Sequence, residues 1–296
     1  MIHYTLCPIC ASNAIAYSFA ATDHTVSKKT FEVWKCVNCT GLFTQDVPGQ
    51  EEIGAYYQSN DYISHSDAEG GIINNLYHRV RSFTLGQKKS LLENETGIAA
   101  GSVLDVGCGT GAFLHKMRSG GWQAIGLEPD AGAREKARQL YQMQVFPSEE
   151  LFALPPDSID AITLWHVLEH VHELHRYVAQ IKNLLKPYGR LFIAVPNHTS
   201  ADAGKYQAGW AAFDVPRHLY HFSPYSMNIL LNQHGLQIKK IKPMWFDSFY
   251  VSMLSEQNAG EGGNLFNAVL TGLKSNFQAV SNKEKASSLI YIIGKN

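Results

Sequence analysis

The stretch that decides the fold is VLDVGCGTG, at residues 103–111. Its first residues are mostly apolar, as in a short buried strand, and the glycines that follow predict a tight turn leading into a helix from Ala112. Such a turn brings backbone N–H groups and a helix N-terminus close to a ligand, because glycines carry no side chain that would keep the ligand away. The stretch therefore predicts a site for a nucleotide-type cofactor.

Asp105 indicates which cofactor this is. Gly107, Gly109 and Ala112 also satisfy the loose dinucleotide fingerprint. A dinucleotide site usually has an apolar residue at the position of Asp105, and a fixed carboxylate there would repel a pyrophosphate. S-adenosylmethionine carries a sulfonium and an ammonium group, which a carboxylate attracts. The next predicted strand ends at Glu128, whose carboxylate can accept hydrogen bonds from both hydroxyls of a ribose.

On these residues the sequence resembles the class I S-adenosylmethionine-dependent methyltransferases, over residues 98–296. The resemblance implies a Rossmann-like α/β fold, with a seven-stranded, mostly parallel sheet whose last strand is antiparallel and which is flanked by helices. It also implies in-line transfer of a methyl group from the cofactor to a nucleophile. The residues expected to contact the cofactor are Asp105, Gly107, Cys108, Gly109, Gly111, Glu128, Pro129, Ser148, Glu149, Trp165 and His166.

Some of these positions have a second interpretation. Ser148 and Glu149 are either neighbours of the adenine ring, as the resemblance implies, or a helix N-cap at Ser148 followed by acids in the first turn, and both can hold together. Cys108 is expected to fill space within the turn and not to act as a nucleophile, because no base lies beside it in the sequence.

Four cysteines form two CxxC pairs, Cys7 with Cys10 and Cys36 with Cys39. Each pair can fold as a tight knuckle that presents two thiolates, and two knuckles complete a tetrahedral site suited to zinc. The residues between the pairs alternate like two strands, so we expect a zinc ribbon with a structural metal. Two disulfides or an iron–sulfur cluster are the alternatives, disfavoured by a cytoplasmic location and by the symmetric spacing.

The pattern His166-x-x-Glu169-His170 matches the inverted zincin motif, with both histidines expected on one face of a helix. A zinc peptidase is therefore a formal rival. It is rejected because the segment follows the fourth strand of the cofactor domain and because no third metal ligand stands out. His170, His172 and His175 are expected to lie at the surface or in helix packing.

The acceptor site is predicted in residues 197–223, which are rich in aromatic side chains and histidines. They follow a buried strand, and open α/β sheets bind ligands at the carboxyl ends of their strands. The aromatic rings are expected to offer stacking surfaces, and His218, His221 or His166 to act as the general base for an oxygen or nitrogen acceptor. The segment resembles one in bacterial small-molecule methyltransferases related to the ubiquinone-pathway enzymes. Alternatively, His218 and His221 bond backbone in a packed loop.

The chain is predicted to divide into three parts. A helical stripe from residue 72 should cover the cofactor, with Tyr77, His78, Arg79 or Arg81 either at the methionine carboxylate or on a solvated face. Residues 243–286 are expected either to complete the acceptor pocket or to form a homodimer contact. The predicted boundaries are 1–46 for the ribbon, 47–97 for the linker and helical cap, and 98–296 for the methyltransferase domain with its 197–223 insertion.

The net charge and hydropathy of the chain limit which class of acceptor is expected. The formal net charge of −1 disfavours a long phosphate-binding surface, so a small-molecule acceptor is expected and nucleic acid is not. No long apolar run or basic leader is present, which predicts a cytoplasmic protein without a membrane span. The alternatives are methylation of nucleotide-linked sugars or of RNA bases, a non-catalytic module in which the ribbon recruits a partner, and an NAD-dependent oxidoreductase.

Overall fold

The computed structural model describes residues 1–58, 72–259 and 264–296, and within residues 72–82 only the backbone. The strands, in chain order, are β1 (Ile15–Thr22), β2 (Thr30–Cys36), β3 (Leu42–Thr44), β4 (Ser102–Val106), β5 (Gln123–Leu127), β6 (Val145–Phe146), β7 (Ile159–Trp165), β8 (Leu185–Pro196), β9 (Tyr220–His221), β10 (Leu236–Pro243) and β11 (Ser288–Lys295). The α-helices are α1 (Ile72–Thr96), α2 (Ala112–Ser119), α3 (Ala131–Tyr141), α4 (Leu174–Leu184), α5 (Ala201–Tyr206), α6 (Pro224–Gln233), α7 (Asp247–Asn258) and α8 (Leu265–Ser281).

Seven strands form the main sheet, in the order β10-β11-β8-β7-β4-β5-β6. The strands from β8 to β6 are parallel, whereas β11 runs antiparallel to both of its neighbours. In β4 and β7 the apolar side chains on both faces are buried, as a parallel sheet covered by helices requires. The predicted Rossmann-like fold with an antiparallel last strand is confirmed.

Local structure differs from the prediction after β7. A 3₁₀ turn at Leu168–His170 follows the strand, and the long helix α4 begins only at Leu174. His166 has a φ of +57°, outside the right-handed helical region, so no helix can start there. The prediction that His166 and His170 share one face of a helix is therefore wrong.

The exit from β6 also differs. A 3₁₀ helix covers Ser148–Phe152, and its N-cap is Pro147, which offers no side-chain hydrogen bond. The alternative prediction of an N-cap at Ser148 is therefore wrong. At the start of α6, Ser223 accepts a hydrogen bond from the Ser226 backbone, and the Ser226 side chain accepts one from the Ser223 backbone, which together form a capping box.

A second sheet joins the N-terminal segment to the segment 197–223. Its order is β1-β2-β3-β9, with antiparallel pairing throughout. The Thr44 backbone N–H donates to the Leu219 carbonyl at 3.0 Å, and Thr44 Oγ1 donates to the His218 carbonyl at 2.7 Å. The apolar core is likewise continuous from Ile9 and Phe43 to the main sheet.

Packing against this sheet buries the aromatic side chains of the segment 197–223. The ring of Phe213 meets that of Phe19 in β1 at a centroid distance of 4.8 Å. The prediction that the aromatic residues of the segment offer stacking surfaces to an acceptor is wrong for four rings, because burying their large apolar area stabilises the sheet instead. The buried rings are Trp210, Phe213, Tyr220 and Phe222.

Arg217 lies at the centre of a buried ion network between these two parts of the chain. Its side chain is 1% exposed. The guanidinium donates to both carboxylate oxygens of Asp214, at 3.0 and 2.5 Å, and to Asp23 at 3.0 Å. A further hydrogen bond goes to the Tyr56 carbonyl at 2.9 Å. Each buried charge therefore has an opposite charge in hydrogen-bond contact, as burial requires.

Residues 243–286 contain the packed helices α7 and α8. α8 buries a face of small and polar side chains, and Gly272 is needed there because a Cβ would lie 2.6 Å from Phe249 Cδ1. Its opposite face exposes the apolar side chains of Leu265, Phe266, Val269, Leu270, Leu273, Phe277 and Val280. Among the described residues, no helix is both long and apolar enough to cross a membrane.

We predict that Arg217→Ala lowers the free energy of unfolding by about 3–5 kcal/mol, because it leaves Asp23 buried and Asp214 half-buried without their cation. Urea unfolding followed by circular dichroism measures this change. Arg138→Ala is the matched control, since its pair with Glu135 is solvent-exposed. Equal transition midpoints for the two variants would contradict the structural role assigned to Arg217.

Candidate functional site

The glycine turn lies at the carboxyl end of β4, the centre of the main sheet. Gly107, Gly109 and Gly111 have φ values of +69°, +54° and +78°. A Cβ at Gly107 would lie 2.4 Å from Val167 Cγ2, so only glycine fits there. A Cβ built at Gly109 would have no described atom within 4 Å, so the backbone of Gly109 is accessible to a ligand.

Asp105 is buried beneath this turn. Thr163 Oγ1 donates a hydrogen bond of 2.6 Å to Asp105 Oδ1. Burial raises the pKa of Asp105 to about 7, although the Thr163 hydrogen bond and the Lys88 ammonium both act to lower it. Ionisation of Asp105 therefore costs free energy, and a bound cation would stabilise the ionised form.

Glu128, at the end of β5, braces the same turn. Its Oε2 accepts a hydrogen bond from the Gly109 backbone at 2.8 Å, and its Oε1 accepts one from the Asp130 backbone at 3.0 Å. Burial raises the pKa of Glu128. A carboxylate oxygen has two lone pairs, so each oxygen can accept one further hydrogen bond. Pro129, which follows, is exposed.

Trp165 ends β7 beside the turn. Its ring lies edge-on to Phe113 at a centroid distance of 5.8 Å. Trp165 Nε1 is a buried donor without a hydrogen-bond acceptor among the described residues. The Lys88 ammonium, from α1, lies 4.2 Å from the centroid of the Trp165 ring. Burial lowers the pKa of Lys88, against the attraction of Asp105 and Asp247.

Sequence reasoning missed Lys88. Nothing in the local pattern separates it from Lys89, which instead pairs with Glu93 at 2.5 Å along the outer face of α1. The backbone of α1 covers the whole predicted helix from residue 72. The side chains of Tyr77, His78, Arg79 and Arg81 lie outside the described residues.

His166 is held between two carboxylates. Its Nε2 lies 3.0 Å from Asp247 Oδ2 and its Nδ1 lies 3.4 Å from Glu169 Oε1. Burial alone would lower the pKa of His166, but these carboxylates raise it to about 10. The side chain is still 34% exposed, at the edge of the cleft. Asp247 begins α7, so the segment 243–286 contributes a side chain beside His166, although no sequence pattern had singled out Asp247.

The mouth is a pair of exposed aromatic rings, one of which adjoins Asp247, the ion-pair partner of His166. Phe246, the residue before Asp247, and Phe83 of α1 are both exposed, and their rings meet edge-on at a centroid distance of 6.4 Å. Two exposed aromatic rings next to a polar, titratable group are typical of a small-molecule site.

Glu169, His170 and His218 form a second polar cluster behind His166. One ligand atom of each lies within 4.8 Å of the others. The third member, His218, comes from the segment 197–223, which the sequence could not place beside the turn at Leu168–His170. These three residues can hold a metal ion.

His221, the remaining histidine predicted as a base, is fully buried in the second sheet. Its Nε2 lies 3.2 Å from Thr44 Oγ1, and burial lowers its pKa well below the usual value. His218 Nδ1 bonds the Ala212 carbonyl at 2.8 Å. This contact of His218 agrees with the alternative interpretation, in which histidines of this segment bond backbone in a packed loop.

The other predicted cofactor residues either follow β6 or belong to the glycine turn. Ser148 is half-buried and Glu149 is exposed, both after β6. Burial, together with the carboxylates of Asp105 and Glu128, raises the pKa of the Cys108 thiol, so the thiol is a poor nucleophile.

The four cysteines of the two CxxC pairs converge, and none forms a disulfide. Cys7 Sγ lies 3.6 Å from Cys39 Sγ, and Cys10 Sγ lies 3.5 Å from Cys36 Sγ. Four thiolates around a zinc ion at about 2.3 Å would be separated by about 3.8 Å, so this donor set fits a tetrahedral site.

Comparison with known proteins agrees with this geometry. Residues 77–241 match the family described as "Methyltransferase domain". The chain is 30% identical, over 166 residues, to a "Ubiquinone biosynthesis O-methyltransferase" of Xanthomonas euvesicatoria pv. vesicatoria, covering 51% of this chain and 68% of that protein. It is 26% identical over 196 residues to the protein of the same name in Idiomarina loihiensis, covering 61% and 79%.

Solved structures share the fold. The magnesium protoporphyrin IX methyltransferase of Synechocystis PCC 6803, solved with bound SAH, superposes with a TM-score of 0.53 at 14% identity, covering 81% of this chain and 97% of that one. The geranyl diphosphate C-methyltransferase of Streptomyces coelicolor A3(2) superposes with a TM-score of 0.52 at 14% identity, covering 81% and 87%. At this identity the likeness establishes the fold alone.

The family match spans more than half of the chain, and it coincides with the sheet, the glycine turn and the two buried acids described above. The chain belongs to the class I S-adenosylmethionine-dependent methyltransferases and is an enzyme of that family.

Proposed function

We propose that the protein methylates a hydroxyl group on a small acceptor with an apolar or aromatic body. The observation that carries this proposal is the mouth formed by Phe83 and Phe246 next to Asp247, the ion-pair partner of His166, where an aromatic acceptor can pack edge-on or stacked. The names of the relatives, which refer to O-methylation in ubiquinone biosynthesis, support a hydroxyl acceptor of this kind.

The residues of the cleft fit S-adenosylmethionine, because they include one donor that is unpaired within the described part of the chain and one carboxylate whose charged form a cation would stabilise. Trp165 Nε1 is a buried donor without an acceptor among the described residues, and Asp105 is a buried carboxylate with a raised pKa. We assign the ammonium group of the cofactor to Asp105, the ribose hydroxyls to the free lone pairs of Glu128, and the methionine backbone to the turn at Gly109. Ser148 and Glu149 remain the predicted neighbours of the adenine ring.

When bound, the cofactor supplies an electrophilic methyl group on a sulfonium. The task of the protein is then to align the acceptor oxygen with that methyl carbon and to exclude water. Trp165 and the glycine turn fix the donor side, whereas His166 and the two phenylalanines fix the acceptor side. In the transfer the acceptor oxygen would gain a bond to the methyl carbon as the carbon–sulfur bond breaks, the sulfur would leave as a neutral thioether, and the hydroxyl proton would pass to water.

Of the three histidines predicted to take part in catalysis, His166 is the one that borders the cleft. His221 is buried in the second sheet and His218 faces Glu169. The raised pKa of His166 favours the charged ring, which opposes its predicted role as a general base. Asp247 and Glu169 instead hold the ring in place, which suits a residue that orients the acceptor hydroxyl.

We further propose that the four-cysteine cluster binds a structural zinc ion. Cys7, Cys10, Cys36 and Cys39 complete a tetrahedral site with no open position, so the metal would stabilise the small sheet and not react.

Glu128→Ala is expected to weaken S-adenosylmethionine binding by about 10- to 100-fold, since a charge-assisted hydrogen bond contributes roughly 1.5–3 kcal/mol. Isothermal titration calorimetry measures the dissociation constants. The control is Glu150→Ala, which removes an exposed carboxylate from the neighbouring 3₁₀ helix. Unchanged affinity in Glu128→Ala would remove Glu128 from the ribose site.

Cofactor affinity should rise with pH as Asp105 ionises. With a pKa of about 7 in the ligand-free protein, Asp105 is mostly protonated at pH 5.5, so binding there should be about 25-fold weaker than at pH 7.5. In Asp105→Asn the affinity should be lower and nearly independent of pH in this range. An equally steep pH dependence in Asp105→Asn would assign the titration to another group.

The same raised pKa predicts an effect on stability. Because the folded protein favours the protonated form, ionised Asp105 destabilises the ligand-free protein, and this cost grows as the pH rises from the unfolded value near 3.8 through about 7. Asp105→Asn should therefore have a higher Tm than the parent at pH 8, with a smaller difference at pH 5. Thermal unfolding at both pH values measures it.

The acceptor class is tested by product formation. Phenols and hydroxylated quinols with apolar substituents should be methylated, whereas nucleotide-linked sugars and RNA should not. With an accepted phenol, His166→Gln should lower kcat/KM by about 10- to 100-fold, because a misplaced acceptor loses alignment with the methyl carbon. His3→Gln, at an exposed position in the N-terminal segment, is the control. Turnover of sugar nucleotides alone would contradict the proposed acceptor.

A further inference from the structure

Glu169 is a buried carboxylate without a satisfactory partner. Its side chain is 1% exposed. His166 Nδ1 lies 3.4 Å from Oε1, but within the described residues neither oxygen accepts a hydrogen bond of good geometry. Burying an ionised carboxylate costs several kcal/mol unless hydrogen bonds or a cation compensate. A second positive group at Glu169 would satisfy it.

Backbone carbonyls orient the two imidazoles that face Glu169. His170 Nδ1 lies 3.0 Å from the Arg217 carbonyl and 3.0 Å from the Tyr57 hydroxyl, and His218 Nδ1 lies 2.8 Å from the Ala212 carbonyl. A carbonyl oxygen can only accept, so Nδ1 of His218 carries a proton, and in the neutral ring the lone pair is on Nε2. Backbone carbonyls that fix the outer nitrogen in this way are typical of histidines that bind metals.

The three groups converge on one point. Ligand atoms of Glu169, His170 and His218 all lie within 4.8 Å of one another, and the rings of the two histidines meet at a centroid distance of 4.6 Å. An ion at about 2.0–2.2 Å from each would require side-chain shifts of about an ångström. We propose that Glu169, His170 and His218 bind a divalent transition-metal ion, distinct from the metal of the four cysteines.

The donor set determines the class of metal. Two imidazole nitrogens and one carboxylate oxygen suit zinc or a similar first-row ion, whereas magnesium and calcium prefer oxygen ligands alone. His166 is not part of the set, because its Nε2 faces Asp247. The proposed ligand set therefore differs from the inverted zincin motif. The first histidine of the motif, His166, is not a ligand, and His218 from a different segment is the third ligand.

Such an ion would connect two segments that border the cleft. His170 follows β7, and the same turn places Glu169 beside His166. His218 belongs to the segment 197–223, and its carbonyl is bonded by Thr44 of the second sheet. The metal would thus fix the position of the turn next to His166 relative to the sheet that contains the cysteines. This is a positioning role, and it does not depend on which acceptor the enzyme uses.

Counting metal ions in the full-length protein tests the proposal. The protein is stripped with a chelator under reducing conditions and titrated with Co²⁺, and bound cobalt is measured after equilibrium dialysis. We expect two equivalents in the parent. One should show the charge-transfer absorption of cobalt thiolate, from the cysteines, and the other should lack it. If every bound equivalent shows thiolate bands, the proposal is overturned, whereas a lone equivalent without them would contradict the cysteine site instead.

Two variants locate the second ion. Glu169→Gln and His218→Gln should each lower the affinity for the equivalent without thiolate bands by more than about 100-fold, since even outer-shell partners contribute 10- to 100-fold. Both should keep the thiolate bands, which report that the N-terminal sheet is folded. His172→Gln, which changes a histidine of the same region that bonds the Pro48 carbonyl, should retain two equivalents. If Glu169→Gln and His218→Gln also retain two, the assignment is wrong.

Because the readout is bound metal, this test stands apart from the assays of methyl transfer. Loss of the second equivalent without loss of S-adenosylmethionine binding would agree with a site beside the cofactor cleft. Failure to methylate phenols would contradict the proposed acceptor and leave the metal count unaffected.

Discussion

The pairing of β3 with β9 is the interaction on which the arrangement of the site depends. Tyr220 and His221, in the C-terminal half of the chain, form the last strand of a sheet whose first strand begins at residue 15. The Arg217 network and the hydrogen bonds of Thr44 reinforce the same junction. The N-terminal segment therefore does not merely precede the methyltransferase fold, since it holds the segment that contributes His218 to the polar cluster behind His166.

The cofactor cleft shows a different balance of energies. Asp105 and Glu128 are carboxylates buried where burial opposes their ionisation, and Trp165 Nε1 is a buried donor without an acceptor among the described residues. Each costs stability in the ligand-free protein. Binding of a ligand that carries both positive charge and hydroxyl groups would recover this cost, so the free energy spent on burying these groups contributes to affinity for the ligand.

Sequence reasoning succeeded where a local pattern determines structure. The glycine turn, the acid at the end of β5 and the two CxxC pairs each lie within a few residues, and the structure brings each group together as expected. Sequence reasoning failed where contacts between distant parts of the chain determine which side chains meet. Asp247 and Lys88 reach the cleft from helices whose periodicity does not distinguish them from their neighbours, and His218 meets Glu169 only because β9 pairs with β3. The helix predicted at His166 was wrong because a single residue with positive φ ends the strand.

The shared sheet also restricts how this protein can be divided or evolve. Removing residues 1–46 would leave β9 as an unpaired strand edge and would uncover Trp210, Phe213 and Phe222, apolar rings that the N-terminal segment covers. Exposed strand edges and apolar patches promote aggregation. A methyltransferase domain excised at a sequence-based boundary would therefore be poorly soluble, and the cysteine-bearing segment could not have been gained or lost as an independent module without redesign of the segment 197–223.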